Sequence, residues 1–384
     1  MEQILRIPGP TPIPPSVERE MSKPMLGHRD RSFQELLASL QPKLKKLFET
    51  TQQVQVIAGS GTSGLETAVV NTCSQGDEVV VIVTGAFGER FAKICDTYQL
   101  KVHRLEIPFG RAVTTEEVED FLTTHPNVKA VFMTYCETST GVINPIADIT
   151  KVIRSQTNAL AIVDGVSIIG GAPIQFDNWN VDVCVTATQK ALMTPPGLTL
   201  LAISERAWQV IEDNPQPRFY FDLRTYRKKA LDCQTPFSPS ISHIYGLNEA
   251  LNLMLKEGLS ETYERHLLMR DMTRVAFQAH DIDLLVKNKQ DASPTVTAIQ
   301  PEGISIQNLR HYLKNTFGLI VAGAPGSLKN TCFRIGHMGY CYPSDVLQYL
   351  SLIELGMYQN GLSIELGSGV QAAQQLFIDR KVGK

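Results

Sequence analysis

VQVIAGSGTSGLETAVVN, residues Val54–Asn71, decides how the rest of the chain is read. A β-rich apolar run is followed by Gly59, Gly61 and Gly64, then by Leu65, Ala68 and Val69 at helical spacing. Strand, glycine turn and helix in that order form a unit of α/β folds. The free N–H groups and dipole at such a helix start attract phosphate, and glycine lets a ligand approach the backbone. Ser60 and Thr62 add hydroxyl donors. The stretch therefore reads as a phosphate cradle or as a bare tight turn. Its Gly-x-Gly-x-x-Gly spacing does not make it a dinucleotide site. That fingerprint needs an acid at the end of the second strand to hold a ribose. Here Asp77 and Glu78 precede the next strand, which runs out into VTGAFGER.

Outward from this unit, short β-rich runs alternate with helical stretches. VQVIA, EVVVIV, KVHRL, VKAVFMT, ALAIVD, VDVCVTA and LTLLAI are the expected strands, several apolar throughout, as strands buried on both faces are. Thr114 and Glu117 stand at capping-box spacing before one of the intervening helices. The pattern predicts a mostly parallel sheet of seven strands covered by helices, an α/β class. Upstream, Leu36, Leu37, Leu40, Leu44 and Leu47 predict a helix over about 33–48. PGPTPIPPSV is expected to be neither helix nor central strand, because proline lacks the N–H and fixes φ.

After about Ala207 the character changes. A loop-rich connector to about Ile241 is expected, then helical stretches over 243–280. Short strands near 295–299, 319–321 and 332–335, with helices near 305–315 and 344–357, predict a smaller α+β domain. The tail after Gln359 gives no pattern. The division read from this is an N-terminal arm (1–30), a large cofactor-binding domain (31–240) and a small C-terminal domain (241–384).

Composition excludes several functions. Of 384 residues, 43% are hydrophobic and 20% charged, a globular balance, and the net charge of -3 offers no basic surplus for nucleic acid. No apolar run reaches the roughly 20 residues that span a bilayer. The N-terminus lacks a secretory pattern, so a cytoplasmic location is expected. Seven scattered cysteines show no metal-ligand spacing and read as buried, reduced thiols. No metal is expected.

Two ionisable residues stand out. ALAIVD ends a buried strand on Asp164, where parallel sheets bind ligands. Lys190 follows the strand VDVCVTA among small and apolar residues, which lower a lysine's pKa and let the neutral amine attack a carbonyl. They lie 26 residues apart, one strand-to-strand step, and can reach one crevice. Taken alone, the pair fits a structural salt bridge equally well. With the cradle, it supplies the three handles of pyridoxal phosphate: a phosphate site, an acid for the pyridine nitrogen and a lysine for the aldehyde.

At this point the segments PGPTP, GHRD, GSGTSGLE, GAFGER, ETSTGVINP, VDGVSIIGG, TQKALMTPPGL, YFDLRTYRK, TPFSP and FRIGHMG can be taken together. In this order and spacing the chain resembles the class V pyridoxal-phosphate aminotransferases. The similar members act on alanine or serine with glyoxylate or pyruvate, and include the bacterial and cyanobacterial branch once labelled a soluble hydrogenase small subunit. The resemblance implies a fold-type-I transferase. Within it, Lys190 binds the cofactor aldehyde and Asp164 the pyridine nitrogen. Ser60, Gly61 and Thr62 hold the phosphate, assisted by Gln189. Phe87, where the animal members carry Trp, covers one ring face and Val166 the other. Thr138 lies near the ring hydroxyl. Thr235 and Ser238 reach the phosphate of a neighbouring subunit, so a homodimer is implied. Arg334 clamps the substrate carboxylate, with Gly9 also at the substrate, and His28 and Arg29 lie near the entrance. The rival readings are a cysteine desulfurase or other class V lyase, with Cys332 or Cys341 in the relevant region, and a non-catalytic subunit or sensor. His243 and His266 read as surface residues of helices.

Overall fold

The computed structural model describes residues 3–382. Its first part contains β1 (Ile4–Leu5), α1 (Pro15–Met21), α2 (Arg31–Phe48), β2 (Gln55–Gly59), α3 (Gly61–Thr72), β3 (Glu78–Val83), α4 (Ala86–Thr97), β4 (Lys101–Glu106), α5 (Thr115–Thr124), β5 (Ala130–Thr134), β6 (Cys136–Glu137), β7 (Val142–Ile143), α6 (Ile146–Gln156), β8 (Leu160–Asp164), β9 (Val183–Ala187) and β10 (Gly197–Ile203). There follow α7 (Glu205–Asp213), α8 (Leu223–Ala230), α9 (Ile241–Glu257), α10 (Leu259–Gln278), β11 (Asp283–Leu284), β12 (Val296–Gln300), α11 (Ile306–Phe317), β13 (Leu319–Ile320), β14 (Ala322–Gly323), β15 (Phe333–Gly336), α12 (Pro343–Gln359) and α13 (Ser368–Val382).

All seven expected strands form one sheet, in the order β2-β10-β9-β8-β5-β3-β4. The five strands from β9 to β4 are parallel. β10 runs antiparallel to both its neighbours. Its link to β9 carries no helix and holds Pro195 and Pro196, and a short turn can join only antiparallel strands. The inner strands are apolar because both faces are covered, whereas the edge strand β4, KVHRLE, is part-exposed along its length. Val79 and Val81 pack under α3 and α4, while Val80 and Ile82 pack under α2, α5 and α6. Each such side chain contributes about 1.5–3 kcal/mol by leaving water. α9 lends Ile244, Leu247 and Leu251 to the second of these faces, so that core draws on residues beyond 240.

A second, antiparallel sheet, β11-β12-β15-β14, packs with α10, α11 and α12 around Phe277, Phe333 and Tyr349. The N-terminal segment joins the two parts. β1 pairs with β13, and the buried Arg6 forms an ion pair of 2.7 Å with Asp345 on α12.

The structure corrects two sequence-based expectations and fills in two stretches that the sequence left open. PGPTPIPPSV does contain the start of a helix, since α1 begins at Pro15, and the first helical position is the one where a missing N–H costs nothing. The connector over 207–241 holds α7 and α8. Their N-caps, Ser204 and Asp222, accept from the N–H groups of Ala207 and Arg224. The helical stretches expected over 243–280 are α9 and α10, parted at Gly258, where φ is +95°. The tail after Gln359 forms α13. Its start is held by Glu354 of α12, which accepts from the N–H groups of Gly367 (2.8 Å) and Val370 (3.1 Å), and its far end by Arg380 on the buried Asp271. These partners are long-range, which is why no local pattern announced the helix.

Candidate active site

The C-terminal ends of β2, β5, β8 and β9 share one edge of the large sheet, and the sequence-expected residues gather there. Ser60 is the N-cap of α3 and spends no side-chain bond on capping, so the first N–H groups of the helix stay open for an anion. Gly61 is required by close approach: a Cβ there would lie 2.9 Å from Cγ2 of Val166. Thr62 stands one residue on, its Oγ1 3.4 Å from Nη1 of Arg90. The amide oxygen of Gln189 is buried without a hydrogen-bond partner among the described residues.

Asp164 ends β8, 4% exposed, and its Oδ1 accepts from the N–H of Val166 at 2.9 Å. Burial pushes its carboxyl up to about 7. Lys190 lies beyond β9, its amine donating to the carbonyl of Pro8. Burial brings that amine down to about 8, with the Arg334 and Arg90 guanidiniums acting in the same direction. Among the described residues the two form no ion pair, so the salt-bridge reading of the pair falls away. The crevice holds an acid that resists ionisation and an amine that is readily neutral, the signature of a functional site.

The N-terminal arm closes over the lysine. Thr11 donates from its hydroxyl to the Lys190 carbonyl at 2.9 Å, and Gly9 (φ +99°) lies so close that a Cβ would sit 2.4 Å from Cδ of Lys190. Phe87 stands in the first turn of α4 with the Arg90 guanidinium 4.7 Å from its ring centre. Thr138 follows β6, its hydroxyl hydrogen-bonded to that of Ser167. Arg334, on β15, reaches the same place from the small sheet. It donates to the carbonyls of Gly323 (3.0 and 2.6 Å) and Thr138 (2.8 Å) and forms no ion pair among the described residues. Those bonds orient the guanidinium and leave two of its five N–H groups for a ligand.

Comparison with known proteins bears on this constellation directly. Residues 10–337 match the model of the family described as aminotransferase class-V. The chain belongs to the class V aminotransferases. It is 36% identical over 97% of its length to a soluble hydrogenase small subunit of a Synechococcus species, covering 98% of that protein. It is 34% identical to the L-aspartate–glyoxylate aminotransferase of Paracoccus denitrificans, covering 96% of this chain and 94% of that one. Among solved structures, the ureidoglycine–glyoxylate aminotransferase of Bacillus subtilis superposes with a TM-score of 0.92 at 30% identity, over 98% of each chain. The cofactor of this class V aminotransferase is pyridoxal 5'-phosphate. The site fits that group: an uncapped helix start for the phosphate, a buried acid for the ring nitrogen, and an amine lowered towards neutrality for the aldehyde.

Not every expected residue joins the cluster. Thr235 donates to the carbonyl of Phe237 at 2.7 Å and Ser238 is exposed; neither bonds to the cradle. Arg29 donates instead to this loop, at the Thr235 carbonyl (2.6 Å), while His28 shows no bond to the site. Sequence reading missed Arg90 and Glu137. Arg90 lies three residues after Phe87, one helical turn away, and the fully buried Glu137 follows a buried strand in the way Asp164 does; those were the available signals. The seven cysteines are free thiols, six of them buried, and burial pushes both Cys332 and Cys341 up to about 12, which keeps them protonated.

His266 corrects the expectation of a surface histidine, because it is fully buried. Nδ1 donates to the Thr262 carbonyl (2.6 Å) and Nε2 accepts from the N–H of Gly339 (3.0 Å), which fixes the neutral tautomer. Gly339 packs on the Lys190 carbonyl, so this bond holds the loop that backs the lysine. His243 remains partly exposed on α9. Burial holds His266 down to about 3 and His337 to about 4. Both folded values lie below the unfolded value, so the stability they contribute is full above about pH 6.5 and is lost as pH falls towards 4 and 3. Each costs up to about 1.4 kcal/mol per pH unit in that window. Chemical unfolding at pH 7, 6 and 5 is expected to show a shallower loss in His266→Gln than in the parent. Parallel slopes would refute the assignment.

Proposed function

We propose that this aminotransferase moves the amino group of alanine or serine to glyoxylate or pyruvate, with Lys190 and Asp164 as its catalytic residues. The observation that carries the reading is Arg334: an oriented guanidinium with no acidic partner among the described residues, braced on Thr138 and acting electrostatically on Lys190. It suits bidentate capture of the α-carboxylate shared by donor and acceptor. Gly9, packed directly on the lysine, bounds the site closely, which suits a small substrate. When bound, pyridoxal phosphate supplies an electron sink. Asp164 holds the proton at the pyridine nitrogen. Ser60, Gly61, Thr62 and Gln189 bind the phosphate, Phe87 and Val166 flank the ring, and Thr138 stands by its hydroxyl. Lys190, as a neutral amine, would take the proton from the substrate Cα and deliver it to the cofactor carbon C4′. A cytoplasmic location goes with the free thiols.

Arg90 favours a second reading. It forms no ion pair among the described residues and acts on both Asp164 and Lys190. A second guanidinium at the site suits a dicarboxylate donor such as aspartate. The test is a donor panel of alanine, serine, aspartate and ureidoglycine against glyoxylate and pyruvate. Alanine or serine should give the highest kcat/KM. Preference for aspartate, abolished in Arg90→Gln, would establish the second reading and overturn the first.

The same reading makes the chain a homodimer with two sites at the interface. Met25 (64% exposed), Phe219 (82%) and Leu231 (77%) present apolar surface on the arm and around the loop that carries Thr235 and Ser238, hydroxyls without a task in their own cradle. An obligate interface of above about 2,000 Å² is expected. Binding and assembly are then linked, so dilution to nanomolar protein should release cofactor together with monomers. Sedimentation with cofactor fluorescence read in parallel checks this. A cofactor-loaded, active monomer would defeat both the dimer and the roles of Thr235 and Ser238.

A further inference from the structure

The turn Glu137–Ser139 carries more of the site than Thr138 alone. α4 begins at Ala86 with Gly85 as its N-cap, a residue with no side chain to offer, so the first N–H groups of the helix need partners from elsewhere. They find them across 50 residues of sequence. The N–H of Ala86 donates to Oγ of Ser139 (2.9 Å), and those of Phe87 and Gly88 both donate to Oε2 of Glu137 (3.0 Å each). Oε1 of the same carboxylate accepts from the N–H (3.0 Å) and hydroxyl (2.5 Å) of Ser139. Glu137 is 0% exposed, has no cation paired with it among the described residues, and faces donors only. Burial pushes its carboxyl up from the usual carboxylate range, while this donor set, at the positive end of a helix dipole, works the other way and favours the ionised form. The residue between these two acceptors is Thr138, whose carbonyl braces Arg334.

We propose that Glu137 is a positioning residue: by gripping the first turn of α4 it sets where the Phe87 ring stands, and by fixing its own turn it sets the carbonyl on which Arg334 is braced. One buried side chain thereby couples the cofactor face to the carboxylate clamp. This rests on the reading that Phe87 covers the cofactor ring and Arg334 binds substrate. Glu137→Gln keeps the size but leaves one acceptor oxygen where there were two and turns an N–H2 towards one of the two pairs of donors, so the grip is weakened on at least one side.

The test measures equilibrium binding of pyridoxal phosphate to the cofactor-free protein in a double-mutant cycle with Phe87→Ala. Expected is about tenfold weaker binding for Glu137→Gln alone and less than about twofold further loss when Phe87 is already alanine. In the loaded enzyme, KM for the amino donor should rise more than kcat falls. A purely structural role would instead lower the melting temperature and weaken binding equally in both backgrounds. If Phe87→Ala weakens binding and Glu137→Gln does not, or the two losses add, the proposal is overturned and the placement of Phe87 survives. If Phe87→Ala leaves binding unchanged, that placement fails and the proposal falls with it. Should Glu137→Gln not fold, Ser139→Ala removes two of the donors' contacts while keeping the charge, and about threefold weaker binding with the same non-additivity is expected.

Discussion

Lys190→Ala should lose turnover by about 10,000-fold or more and lose the covalent link to the cofactor, while the fold persists. Two properties of the side chain lead there. Its amine is held from two sides, by the chain beyond β9 that carries it and by the arm, through its bond to the Pro8 carbonyl. Burial also lowers it to about 8, so near neutral pH a useful share is unprotonated and nucleophilic. Alanine removes the nucleophile and the proton carrier together. The lowered value has a separate consequence. The rate at which the cofactor-free chain loads with pyridoxal phosphate should rise with pH and level off above about 8, rather than above the 10.5 of an ordinary lysine. Reductive trapping followed by peptide mapping checks the link. A trapped adduct on another lysine, or undiminished turnover in the variant, would remove Lys190 from the role proposed for it.

Asp164→Asn should lower kcat by about 100–1,000-fold, the scale of losing one preorganised electrostatic partner in a site closed to water. The change is nearly isosteric, and the N–H of Val166 can still donate to the amide oxygen, so the end of β8 should keep its shape. What goes is the negative charge that keeps a proton on the ring nitrogen. That charge is costly in the cofactor-free chain, where burial holds the carboxyl up to about 7. The structure offers it a single hydrogen bond, from Val166, and leaves Oδ2 without one among the described residues, as befits an acid whose partner is a ligand. Steady-state kinetics with the circular dichroism of both proteins decide the matter. Near-normal kcat in a folded variant would mean that the proton at the ring nitrogen is held by something else.

Much of this is legible in the sequence. Most of the seven strands are runs rich in valine, isoleucine, leucine and alanine, because a strand covered on both faces is apolar nearly throughout; the edge strand β4, KVHRLE, is the exception. Asp164 and Lys190 were legible for the converse reason: an ionisable group at the end of such a run is expensive unless it has work to do. The cradle was legible as a glycine turn at a helix start, although its ligand came only with the order of ten short segments. α13 was not legible, because its anchors Glu354 and Asp271 lie on other helices. Nor was the burial of His266, whose surroundings are assembled by a loop 73 residues away. Glu137 shows the limit most clearly. Sequence places an acid beside Thr138, but whether it faces solvent, a cation or four donors depends on where α4 begins relative to β6. Residue spacing decides which face of a strand or helix a side chain takes. Only tertiary packing decides what stands opposite that face, and for a buried charge the partner opposite determines its state and its use.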